Sequence, residues 1–160
     1  MHLHVREVPP EIVQPLRHKV LRPGLPFDTA IWARDQPPDS RHFAAMDAQD
    51  RVLGVASFYH QDTDLAPNEP AWQLRGMAVE QALRGQGVGQ KVLLESIDLL
   101  QASDPVRVIW CNARVSAIGF YEKLGFAVLG EPFLVPNVTE LHRFGLLRLP
   151  VVTKETASTP

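Results

Sequence analysis

Three of the ten glycines in this 160-residue chain fall within five positions, in Arg84-Gly85-Gln86-Gly87-Val88-Gly89, and their flanks restrict the folds open to it. Upstream, Ala71 to Val79 is strand-like. Downstream, Gly87 to Gln101 reads as a helix whose Lys91, Glu95 and Asp98 form one polar stripe on a mostly apolar segment. Ala71 to Asp104 holds no proline, so the regular centre of the fold is expected there. Glycine costs a helix interior about 0.8–1.0 kcal/mol relative to alanine, so a cluster of them calls for a compensating role. Bare amides at a helix start, at the positive end of its dipole, bind phosphate or pyrophosphate. Arg84 adds a guanidinium suited to phosphate oxygens. The competing role is a tight turn whose glycines let helix and strand pack closely.

The rest of the chain supplies a sheet. Leu3 to Val8 alternates as a short strand, and Pro9-Pro10-Glu11 opens a helix to about Leu21 striped by Ile12, Leu16 and Val20. Pro23, Gly24, Pro26, Pro37 and Pro38 mark Arg22 to Ser40 as irregular and at the surface. His42 to Ala48 and Val52 to His60, joined by Gln49-Asp50-Arg51, form a hairpin. Val106 to Cys111 is nearly continuous apolar, as suits a strand covered on both faces. Ser116 to Leu124 is a short helix ended by a left-handed cap at Gly125; Phe126 to Leu129 and His142 to Leu149 are strands. The unit from Ala71 to Cys111 demands a right-handed parallel crossover amid otherwise antiparallel pairing. The expected fold is α/β of the α+β kind, a mixed sheet with helices on its faces. Residues 1–152 form one domain and 153–160 a loose polar tail.

Composition narrows the function. Sixteen Lys and Arg against eighteen Asp and Glu leave a net charge of −2, which argues against a general nucleic-acid binder. One cysteine, Cys111, excludes an internal disulfide and any multi-cysteine metal motif, and it reads as inert packing in a buried strand. No run approaches the ~20 apolar residues of a membrane span, and Met1 to Glu7 lacks the build of a secretion signal. The expectation is a cytoplasmic protein without metal, membrane or nucleic-acid partner.

Two phosphate-binding motifs fail on spacing. A P-loop needs Lys-Ser or Lys-Thr after its last glycine, where this chain has Gln90-Lys91-Val92. A dinucleotide fingerprint needs G-x-G-x-x-G, whereas Gly85, Gly87 and Gly89 are spaced two and two. Arg84-x-x-Gly87-x-Gly89, after Gly76-Met77-Ala78-Val79, resembles instead the acyl-CoA pyrophosphate loop of the GNAT superfamily of N-acyltransferases. Downstream, Asn112-Ala113-Arg114 and the helix ending Tyr121-Glu122-Lys123-Leu124-Gly125-Phe126 are similar to that family's Asn after its fifth strand and its Tyr-x-x-x-Gly-Phe. The likeness is close over about Ala71 to Gly130.

That resemblance implies a mostly antiparallel sheet whose one parallel strand pair splays apart, helices on both faces, and acetyl-CoA as co-substrate. Met77, Ala78 and Val79 would pair with pantetheine, with an amide near Met77 stabilising the thioester oxyanion. Arg84, Gly85, Gln86, Gly87, Val88 and Gly89 would hold the pyrophosphate, and Asn112 would reach the pantetheine or the loop beyond it. Tyr121 would be the general acid that protonates the leaving thiolate; its alternative is a core tyrosine.

No motif selects the general base: Glu69, Glu80, His42 and His60 all remain open. Arg22, His42 and Arg75 are candidates to face the acceptor cavity, with Arg75 on the side of Met77 and Val79, while Arg17 and Lys19 read as a solvated helix face. A cationic cavity would suit an acceptor carrying a carboxylate or phosphate. The leading function is acetyl transfer to a primary amine of a small molecule or a protein. The alternatives are a silent acyl-CoA sensor of the same fold and a nucleotide-binding regulator. Strand ends after Pro132 offer an edge for a homodimer.

Overall fold

The computed structural model describes residues 2–136 and 138–150. Seven strands, β1 His4–Val8, β2 Ser40–Met46, β3 Val52–His60, β4 Ala71–Val79, β5 Val108–Arg114, β6 Ala127–Phe133 and β7 His142–Arg148, form one sheet. Its order is β1-β2-β3-β4-β5-β7-β6. Every neighbouring pair is antiparallel except β4 and β5. The helices are α1 Pro10–Leu21, α2 Val88–Ser103 and α3 Ile118–Lys123, with short 3-10 turns at Phe27–Ala30, Gln81–Leu83 and Val115–Ala117. The expected mixed α/β sheet with one parallel pair is present. The tail expected at 153–160 lies outside the described residues.

Strand alternation sends neighbouring side chains to opposite faces, and the two long helices take one face each. Phe43, Ala56 and Phe58 pack with Leu93, Ile97 and Leu100 of α2. Ala44, Met46, Val55 and Ala78 pack instead with Val13 and Leu16 of α1. Burial of these side chains, at about 25 cal/mol per Å² of apolar surface, holds the layers together.

The sheet divides at its parallel pair. β4 and β5 are bonded only from Ala71 opposite Val108 to Leu74 opposite Cys111. β5 stays in register with β7 along its whole length, from Val108 opposite Arg148 to Arg114 opposite His142. β4 follows β3 but bulges: Val55 faces Ala78 and Ser57 faces Arg75, so Ala56 spans Gly76 and Met77. An extra residue bends a strand, and Gly76 accepts the positive φ of 69° that this bend needs. The bulge carries β4 away from β5 and opens a slot.

Pairing with β7 also extends β5 to Arg114, three residues beyond the Cys111 boundary read from the apolar run. Asn112 therefore lies inside the strand, opposite Phe144, and not in a turn after it.

Candidate active site

The slot between β4 and β5 continues into a cleft of about 900 Å³ bordered by the start of α2, by α3 and by the end of α1. Met77, Ala78 and Val79 line it from β4, whose edge from Arg75 onward has no β5 partner. Asn112 lines it from β5, and its Oδ1 is buried without a hydrogen-bond partner. A buried amide oxygen left unpaired costs about 1–3 kcal/mol, which a donor placed in the cleft would offset.

Arg84, Gly85, Gly87, Val88 and Gly89 border the same space. Gln86 does not; its side-chain amide donates to the Ala82 carbonyl at 3.4 Å. Gly87 caps α2 with φ 83° and no side-chain hydrogen bond, and the amides of Gly87, Val88, Gly89 and Gln90 meet no acceptor among the described residues. The geometry that each of the two roles requires is found at these glycines. A Cβ on Gly89 would come within 3.3 Å of Phe120, so Gly89 serves close helix packing. A Cβ on Gly85 or Gly87 would meet nothing within 4 Å, and both have φ near +80°: these two keep the turn left-handed and the amides bare.

Tyr121 is positioned by how α3 ends. The Phe126 amide donates to the Tyr121 carbonyl at 3.1 Å and the Gly125 amide to that of Glu122 at 3.1 Å, with Gly125 at φ 95°. This paired closure of a helix C-terminus brings the Phe126 ring to 5.3 Å from the Tyr121 ring. Tyr121 lines the cleft at 8% exposure, and burial pushes its phenol above the ordinary value, so it stays protonated. Cys111 borders the cleft too, but burial pushes its thiol up to about 12, which leaves no thiolate at neutral pH.

None of the four base candidates lines the cleft. Glu69 is paired with Arg148 at 2.8 Å, Glu80 with Lys19 at 2.6 Å and His60 with Asp104 at 3.6 Å. His42 does not face the acceptor cavity either: its Nδ1 contacts Ser57 Oγ at 2.7 Å and its Nε2 the Asp35 carbonyl at 2.7 Å, all under the sheet. The group the sequence left unremarked is His142. It lines the cleft at 5% exposure, and its Nδ1 contacts the Glu140 carbonyl at 2.9 Å. A carbonyl only accepts, so the proton sits on Nδ1 and Nε2 carries the lone pair. Burial lowers its pKa below 6.5 and nearby Arg114 lowers it further, against the hydrogen bond to Glu140, so the ring is neutral at physiological pH. At the sequence level His142 only opened a strand.

Arg17 overturns the solvated-face reading. It is fully buried and bonds Asp35 Oδ2 at 2.8 Å, the Ala30 carbonyl at 2.8 Å, Ser57 Oγ at 3.0 Å and the Tyr59 hydroxyl at 3.2 Å. Lys19 is exposed as expected. Arg17 also lies 3.9 Å from the Trp32 ring centroid, and Arg75 lies 4.3 Å from it. The irregular segment from Arg22 to Ser40 thus supplies a cleft-lining indole and a buried carboxylate, not only a surface wrap.

Among the described residues no group of three or more His, Cys, Asp or Glu is placed to hold a metal, and no helix is long and apolar enough to cross a membrane. Residues 11–126 match the Acetyltransferase (GNAT) family. The chain is 32% identical over 136 residues to the uncharacterized N-acetyltransferase YitI of Bacillus subtilis (strain 168), covering 85% of this chain and 90% of that protein. In fold it is similar to a putative N-acetyltransferase from Lactobacillus plantarum, with TM-score 0.76, 14% identity and coverage of 94% and 100% of the two chains. Escherichia coli ElaA is similar as well, with TM-score 0.72, 20% identity and coverage of 91% and 99%. A sheet split at its parallel pair, a bare helix start beside the split and these likenesses agree: the chain belongs to the GNAT family of N-acetyltransferases, enzymes that move an acyl group from acyl-CoA to an amine.

Proposed function

We propose that this enzyme transfers an acetyl group from acetyl-CoA directly to the primary amine of a small molecule or protein. The observation that carries this reading is one continuous cleft bordered by the bare amides at the start of α2, the unpaired edge of β4 and Tyr121. In it, the amides of residues 87–90, with Arg84, hold the pyrophosphate of CoA. The β4 edge over Met77, Ala78 and Val79 pairs with pantetheine amides as an added strand, and Asn112 Oδ1 accepts from one of them.

The amine nitrogen attacks the thioester carbonyl carbon, and the carbonyl electrons move onto oxygen. A β4 amide near Met77 stabilises that oxyanion, a contribution of about 2.7–4 kcal/mol per donor. His142 Nε2 takes the proton that the nitrogen sheds. Collapse breaks the carbon–sulfur bond, and the Tyr121 hydroxyl protonates the thiolate. The burial that raises the phenol's pKa would raise the proton affinity of a thiolate beside it as well, so the transfer remains feasible.

Following free thiol from acetyl-CoA with a panel of amines tests this. Thiol release that depends on both substrates supports the reading. Tight acetyl-CoA binding without release from any amine would favour the sensor, and stabilisation by ATP or NAD over CoA the nucleotide-binding regulator.

A further inference from the structure

The charged side chains that line the cleft are all cationic: Arg22, Arg75, Arg84, Arg114 and Lys123 border it, and no Asp or Glu among the described residues does. Arg84 stands in the loop with the bare amides and Lys123 on α3. The other three converge elsewhere. Arg22 follows the end of α1, Arg75 stands on β4 before the bulge, and Arg114 ends β5. Arg22 and Arg75 lie 5.9 and 4.3 Å from the Trp32 ring centroid. Burial lowers the Arg22 pKa, and Arg114, Arg75 and Arg17 lower it further, as mutual crowding of positive charge requires. Burial likewise lowers that of Arg75.

None of these three guanidiniums forms an ion pair among the described residues, although Asp35 lies near enough to Arg75, and Glu140 to Arg114, to act on their charge. Arg75 and Arg114 make no side-chain hydrogen bond or ion pair among the described residues, and Arg22 donates only to the Leu21 carbonyl at 2.9 Å. Elsewhere five arginines meet a carboxylate, Arg6 at Asp50, Arg17 at Asp35, Arg41 at Glu7, Arg51 at Asp47 and Arg148 at Glu69, while Arg34 and Arg143 donate to Gln61 and to backbone carbonyls. Half-buried cations without a paired anion are costly, and a ligand anion relieves the cost.

Resting on the transferase reading above, we infer that the acceptor amine carries an anionic group, a carboxylate or a phosphate, held by Arg22, Arg75 and Arg114 beside the Trp32 ring. The planar forks of arginine suit both anions. The same charge favours the chemistry, because nearby cations lower the pKa of the acceptor ammonium and enlarge its nucleophilic free-base fraction. It also rejects polycationic amines, which meet like charge with no carboxylate to receive them.

The test compares matched amines in the thiol-release assay with acetyl-CoA. Phosphoethanolamine and β-alanine are the phosphate and carboxylate arms, ethanolamine and β-alaninamide their neutral counterparts, and putrescine the cationic arm. At least one anionic amine should exceed its neutral counterpart by about tenfold or more in kcat/KM, chiefly through KM. Arg75→Gln should remove that preference and Arg75→Lys keep part of it. Turnover of neutral or cationic amines equal to or better than both anionic ones overturns the inference and leaves the transferase reading intact. If none of the amines reacts, ethyl phosphate and propionate are added to the CoA-loaded protein. A rise in Tm with wild type that is absent in Arg75→Gln supports the inference, and no rise with either anion overturns it. Failure of acetyl-CoA itself to bind would instead strike the transferase reading.

Discussion

Arg17 of α1 and Asp35 of the segment before β2 form an ion pair of 2.8 Å with both side chains shut off from solvent, at 0% and 1% exposure. Tyr59 donates to the other carboxylate oxygen at 2.6 Å, Gln14 donates to Oδ2 at 3.1 Å and the Trp32 amide donates to it at 3.0 Å. One carboxylate thereby ties α1, β3 and the Trp32 segment together, and it backs the part of the cleft wall that Trp32 forms.

Removing Asp35 should be severe. Asp35→Ala leaves the Arg17 charge buried and unpaired, a loss of about 3–5 kcal/mol measurable by denaturant or thermal unfolding. Replacing both partners, as in Arg17→Met with Asp35→Leu, should recover a large part of that stability. A double variant no more stable than Asp35→Ala would show that the hydrogen bonds, not the stranded charge, dominate.

Acid should release the same tie. Burial alone would raise the Asp35 pKa, but hydrogen bonds from Arg17, Tyr59 and the Trp32 amide outweigh it and hold the group at about 2, below the ordinary 3.8. A carboxylate depressed on folding stabilises the native state above the unfolded pKa, and that contribution fades as pH falls from about 3.8 towards 2. Stability measured across that range should drop in wild type, with a shallower drop in the double variant.

Tyr121→Phe deletes the hydroxyl proposed as proton donor while keeping the ring that packs on Phe126. The expected outcome is a kcat lower by about 10²–10⁴-fold with acetyl-CoA affinity little changed. An unchanged kcat would return Tyr121 to the core-tyrosine role.

His142 should set the acidic limb of the rate profile. Its neutral form is the proposed base and its pKa lies below 6.5, so on that reading activity should fall only as pH drops beneath that value. His142→Gln should lower kcat and abolish the limb. A variant that retains the limb would assign it to another group.

Gly87→Ala and Gly89→Ala should separate ligand contact from packing. At Gly87 the methyl meets no neighbour, but φ 83° disfavours any side chain, so the substitution strains the turn that keeps the amides bare. Acetyl-CoA binding by calorimetry should weaken about tenfold or more, the scale of one lost charge-assisted hydrogen bond. At Gly89 the methyl presses on Phe120, so the larger change should be in Tm.

Local chemistry made much of this enzyme readable from the chain. Glycines before an amphipathic helix, proline at the start of α1, a strand period of two and the Tyr121 to Phe126 cap are rules of a few neighbouring residues, and each places its element within a few positions. The strand end at Arg114 was not readable, because partnership with β7 and not the apolar run carries β5 that far. Neither was the fate of Arg17. One turn of helix looks alike whether its arginine meets water or a carboxylate 18 residues away, and only the packing of α1 on the sheet chooses. His142 and the Arg22, Arg75 and Arg114 group follow the same logic: they come from different elements and converge where β4 parts from β5. Periodicity and caps are decided between neighbours in sequence. Burial, protonation and the counterions a charge meets are decided by neighbours in space, and those exist only once the chain has folded.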